Sequence, residues 1–181
     1  MSTPVYDIDS DVIDQLSGIA AGSPLHTLRH QREKVAVASQ GSFDTLFDPT
    51  LEGIGLDERL LVALYASRLA GAADLAKYYS ERAQAAAADA AQLAAAESGE
   101  PEQLDGAQHT RVRAMLVFTR ALTKRPVEGD KAAIEKLPAA GISTPAVVAL
   151  SQLIAFVSYQ LRVIAGLKAM KLAGVSALAA N

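Results

Sequence analysis

The 181-residue chain contains no cysteine, which excludes disulfides, thiolate metal sites and any mechanism in which its own thiolate attacks a peroxide. Tryptophan is also absent, and aromatics are limited to five tyrosines and four phenylalanines. Basic residues are not in excess: 17 Lys and Arg stand against 20 Asp and Glu, for a net charge of -3. Without a basic stripe and interleaved aromatics, nucleic acid is not expected as a partner. The N-terminal segment MSTPVYDIDSDVIDQL is acidic where a signal peptide is basic and then apolar, so the expected location is the cytoplasm. The most apolar tract, Ala146 to Val175, is interrupted by Gln152, Gln160, Arg162 and Lys168. It reads as a buried core helix, and no membrane partner is expected. Gly-rich phosphate loops, a nucleophile elbow and an ordered Ser/His/Asp set are all missing, which argues against nucleotide enzymes and serine hydrolases; no cofactor is expected.

Half of the residues are apolar and a fifth charged, the composition of one globular domain over residues 1–181. Abundant Ala and the lack of turn-bounded alternating Val/Ile/Thr runs predict an all-α fold. A short helix is expected over Asp9 to Ala21 and another from roughly Leu25 to Gln40. Asp57 is a plausible N-cap for a helix running to Gly71, and another helix follows from about Ala73. Its continuation AQAAAADAAQLAAAESGE has high helix propensity, so this helix should be long. Further helices are expected over Thr110 to Thr123, over Lys131 to Leu137 with Asp130 as cap, and from Ser143 or Thr144 with Pro145 in the first turn. Shifting the chain by 86 positions lays GLDERLLVALYASRLA, Gly55 to Ala70, over GISTPAVVALSQLIAF, Gly141 to Phe156. This match fits either a duplicated helical unit or shared helix grammar.

The stretch Leu56 to Arg82, LDERLLVALYASRLAGAADLAKYYSER, carries a resemblance. It is similar to the alkylhydroperoxidase D and carboxymuconolactone decarboxylase superfamily, in which a helix with an ERE-like triplet runs through a Gly into a Cys-x-x-Cys-x-x-x-His segment. Arg59 and Gly71 match. The proton-relay Glu falls on Leu60, the two cysteines on Ala72 and Leu75, and the His on Tyr79. The segment GIST to AGL also resembles the second half of peroxidase-related members, which implies two related units, about 25–96 and about 107–175. The resemblance further implies an alkylhydroperoxidase D-like helical domain and a homo-oligomer. It also implies that thiol peroxidase activity has been lost with the cysteines.

The vacated region holds Arg68, Asp74, Tyr78 and Tyr79 as candidate ligand-binding residues. Asp74 could serve as base or anchor and a tyrosine hydroxyl as donor. The alternative is structural: Asp74 caps or complements the helix dipole, Lys77 and Glu81 form a surface pair, and the tyrosines pack by their rings. Arg68 and Arg162 fall among apolar positions, where a carboxylate partner, a subunit contact or an anionic ligand is expected. His26 and His30 lie four apart and would share a helix face, with Glu33 or Asp44 as a third ligand. Without a fuller motif they read as surface histidines, and no metal is assigned; no role is assigned to His109. Three functions remain: a non-redox protein that binds a small organic molecule or an active paralogue, a cysteine-independent acid-base enzyme of the decarboxylase branch, and a helical interaction module.

Overall fold

Helix after helix carries the computed structural model, which describes residues 11–174, and no strand occurs among them. The α-helices are α1 (Val12–Ser17), α2 (Pro24–His30), α3 (Glu33–Leu46), α4 (Leu56–Leu69), α5 (Ala73–Ala85), α6 (Ala90–Ser98), α7 (Thr110–Lys124), α8 (Lys131–Ala139) and α9 (Thr144–Leu172). The all-α expectation therefore holds. Among the described residues, one compact unit is formed by 45–158 and another by 11–44 with 159–174.

Within 45–158, α4 is the axis, with α5, α6 and α7 packed on it. Leu60 through Ala66 are each no more than 2% exposed, the pattern of a helix apolar on all sides and enclosed on all sides. Ser67 donates to the Ala63 carbonyl at 2.7 Å, so its buried hydroxyl is satisfied within the helix. Arg59, also enclosed, donates to the carbonyls of Leu46 at 2.6 Å, Asp48 at 2.9 Å and Gly55 at 3.3 Å. These bonds clamp the α3–α4 loop. Burial pulls the Arg59 guanidinium below its usual pKa. Arg111 on α7 makes a second clamp through Glu58 at 2.7 Å, the Gly141 carbonyl at 2.7 Å and the Gly53 carbonyl at 2.6 Å.

In the other unit, the Val12 N–H donates to Gln40 Oε1 at 2.9 Å and the hydroxyls of Ser39 and Tyr159 meet at 2.8 Å. Lys171 reaches the Gly18 carbonyl at 2.5 Å, at the left-handed residue that ends α1. Along α9, which contributes to both units, Ala146, Leu150, Leu153, Val157, Gln160, Ile164 and Leu167 are buried. Their alternating spacing of four and three is that of a one-sided helix stripe. By length and composition α9 could cross a membrane, yet 39% of its most apolar window is buried within the protein.

Four helix boundaries depart from expectation. The first helix stops at Ser17, short of Ala21, because Gly18 at φ 64° closes it, and its expected start at Asp9 lies outside the described residues. The expected helix over 25–40 is two, because the chain turns at Gln31 between α2 and α3. Gly55, not Asp57, precedes α4, and its N–H donates to Glu58 at 2.9 Å while Asp57 lies in the first turn. The long Ala-rich helix is also divided. The Ala88 N–H bonds the Ala83 carbonyl and the Ala87 N–H bonds that of Gln84, a Schellman ending with Ala87 at φ 56°. Asp89 then accepts from the N–H groups of Ala91 and Gln92, starting α6. A good cap outweighs Ala propensity here.

Candidate functional site

The connection from α4 to α5 shows why Gly71 is there. The Ala72 N–H bonds the Ser67 carbonyl and the Gly71 N–H bonds that of Arg68, closing a Schellman motif that puts Gly71 at φ 74°. The chain then enters α5 at Ala73, with no side-chain cap from Ala72.

The positions on which the resemblance places redox groups are packed with hydrocarbon. Leu60, Leu75 and Tyr79 are 1%, 3% and 0% exposed, and only Ala72 is half-buried. The Tyr79 ring stacks on Phe47 with centroids 5.3 Å apart, and Tyr78 meets it edge-on at 5.2 Å. Arg82 lies over Phe47 at 5.1 Å and donates to the Tyr78 hydroxyl at 3.3 Å. The tyrosine at the position where the resemblance expects a histidine is thus a core plug, held by ring stacking and a cation over the π faces. Burial raises the Tyr78 pKa, so its hydroxyl keeps its proton at neutral pH.

The four candidate ligand-binding residues, Arg68 on α4 and the other three on α5, divide between core and surface. Tyr78 and Tyr79 join the plug, whereas Asp74 and Arg68 are exposed. The expectation that Arg68 is partly buried is corrected: it lies in the last turn of α4 on the rim, beyond the enclosed residues. Arg162 is likewise exposed, off the buried stripe of α9. Arg68 lines an open groove of about 680 Å³ formed by α4, α5 and α6, with Lys77, Ser80, Glu81, Gln84 and Glu97. In this groove Lys77 pairs with Glu81 at 3.8 Å and Ser80 donates to Glu97 at 2.5 Å. Arg68 makes no ion pair among the described residues. A larger open groove, about 1020 Å³, runs between α7 and α8 past Arg113, Arg120, Lys124, Arg125 and Lys136. Three of its cations are engaged, Arg120 with Glu102, Arg125 with Glu128 at 2.7 Å and Arg113 with the Leu104 carbonyl at 2.7 Å.

The histidines also differ from expectation. The side chains of His26 and His30 are 11% and 7% exposed, and their rings lie 4.4 Å apart on α2. Asp14 on α1, and neither Glu33 nor Asp44, supplies the carboxylate beside them: its Oδ2 is 2.7 Å from His30 Nε2 and 3.8 Å from His26 Nε2. Arg29 joins the cluster, 3.1 Å from Asp14 and 3.0 Å from Asp11. The i,i+4 histidines and the i,i+3 aspartates were visible in sequence, but nothing local shows that the two short helices face each other. His109 stands apart, 3.2 Å from Gln92.

No family model matches the chain, and no curated protein matches it. Among solved structures it is similar to a Cys-to-Ala variant of the debrominase Bmp8 in complex with 2,3,4-tribromopyrrole, with a TM-score of 0.65 and 21% identity. The match covers 86% of this chain and 79% of that one. This likeness is one of fold, consistent with an alkylhydroperoxidase D-like helical domain.

Proposed function

We propose that a protein with this helical fold and a plugged redox position acts by non-covalent binding, taking a small carboxylate-bearing organic molecule in the α4–α5–α6 groove with Arg68 as anchor. The observation that carries the reading is the position of Arg68, an exposed guanidinium without an ion-pair partner among the described residues, facing a groove of ligand size. Ser80, Gln84 and Glu97 add hydrogen-bonding groups beside it. The similar debrominase holds a small halogenated ring, which agrees with a small organic ligand for this chain.

Acid-base catalysis by the tyrosines is disfavoured, because Tyr79 is enclosed and burial holds the Tyr78 hydroxyl protonated. Thiol-based peroxide chemistry lacks its nucleophile. Self-association as a homo-oligomer belongs to the same proposal and follows from the family resemblance.

The test is a thermal-shift screen of small aromatic and aliphatic carboxylates, alongside a peroxide assay with a thiol reductant. The expected result is stabilisation by one class of carboxylate, lost in Arg68→Ala, with peroxide consumption equal to buffer. Thiol-dependent turnover above buffer, or carboxylate binding that is unchanged in Arg68→Ala, would overturn the reading.

A further inference from the structure

The strongest chemistry outside that groove is the cluster on α1 and α2. Asp14, His26 and His30 each bring a ligand atom within 4.8 Å of the others. Donor atoms bound to one ion at about 2.1 Å stand roughly 3–3.5 Å apart, and the 2.7 and 3.8 Å separations from Asp14 Oδ2 bracket that range.

The cluster's own hydrogen bonds do not satisfy it. Asp14 Oδ1 and His26 Nε2 are buried without a hydrogen-bond partner, which is costly for polar atoms. His30 Nε2 meets Asp14 Oδ2 at 2.7 Å, where it must donate, and Arg29 Nη1 at 3.1 Å, where it must accept. One nitrogen cannot do both. Charge points the same way: two aspartates, Asp11 and Asp14, converge on the one guanidinium of Arg29. The guanidinium is held by both oxygens of Asp11, at 3.0 and 3.1 Å, as well as by one oxygen of Asp14. Asp14 Oδ1 is left to a second cation.

We propose that Asp14, His26 and His30 form a binding site for a divalent first-row transition ion, with Zn²⁺ as the best-matched probe. Two imidazoles and one carboxylate suit such an ion, and solvent completes its coordination. Asp11 anchors Arg29, which in turn holds Asp14, as outer groups orient a ligand; the 3.1 Å contact of Arg29 Nη1 with His30 Nε2 is given up when the ion takes that nitrogen. His26 binds through Nε2 and gives up the long 3.4 Å bond that its Nδ1 accepts from the Gly22 N–H. The ion ties α1 to α2, helices of six and seven residues that have little stability of their own. The site is independent of the groove reading.

Titration of the chelator-treated full chain with Zn²⁺, read by calorimetry and by melting temperature, tests this. One equivalent is expected to bind and to raise the melting temperature, as an ion that binds only the folded state must. Asp14→Asn and His30→Ala each weaken binding by at least about tenfold, and His109→Ala leaves it unchanged. Co²⁺ added to the wild-type chain reads the site without a mutation, through visible ligand-field bands that Zn²⁺ displaces. Absent Co²⁺ bands, no Zn²⁺-dependent stabilisation, or equal affinity in folded Asp14→Asn and wild type would each overturn the proposal.

Discussion

Replacing Tyr79 by Ala removes a ring that has no solvent exposure and that stacks on Phe47. Deleting a buried aromatic side chain costs about 3–5 kcal/mol, the larger values where neighbours cannot collapse into the space. Phe47 is held on its other contacts by Arg82, and Tyr78 is bonded to the same arginine, so collapse is restrained and a loss of about 4 kcal/mol is expected. Equilibrium urea unfolding measures it: at a slope of roughly 2 kcal/mol/M the midpoint falls by about 2 M. Tyr79→Phe keeps the ring and loses only the hydroxyl, for about 1 kcal/mol. The Ala variant should also regain stability with benzene, which enters dry apolar cavities. A midpoint shift below about 0.5 M, equivalent to roughly 1 kcal/mol, would refute the idea that this tyrosine plugs the fold where a reactive group is expected.

Arg59→Met should destabilise the chain by about 3 kcal/mol in the same assay, since it strands the carbonyls of Leu46 and Asp48. Ala87→Gly relieves a left-handed Ala and should raise the midpoint by the equivalent of about 0.5–1 kcal/mol. Burial raises the pKa of Tyr65 and Tyr78. The unfolded chain therefore loses these protons first, and stability should fall as pH rises through about 10, measurable as a declining melting temperature. Light scattering at micromolar concentration should give a multiple of the 18.9 kDa chain mass; a monomer would remove self-association from the proposal.

The fold was legible because it rests on local signals. Gly71, Asp130 and Thr144 mark helix ends by backbone geometry and capping, and the structure follows them. The Ala-rich run misled because propensity is summed over many residues, while one cap at Asp89 decides where the helix restarts. The candidate site was less legible. On α5, Lys77 and Tyr79 are two residues apart, roughly 200° round the helix, so sequence neighbours divided between groove and core. Arg68 was misplaced for a related reason: it keeps the spacing of Leu61 and Leu64 but lies at the end of α4, where the enclosing helices no longer cover it. The His–Asp cluster depends on how α1 meets α2, which no short window encodes.

The Arg59 clamp also bears on how the chain reaches this structure. Its three acceptors lie 4, 11 and 13 residues earlier in sequence. Closing so short a segment costs little chain entropy, and closure of a loop of this length takes on the order of 10–100 ns. The end of α3, its loop and the start of α4 therefore form a low-contact-order hairpin that can assemble before the distant Gly53 and Gly141 carbonyls are joined by Arg111. Arg59 variants should slow folding, whereas Arg111 variants should mainly speed unfolding.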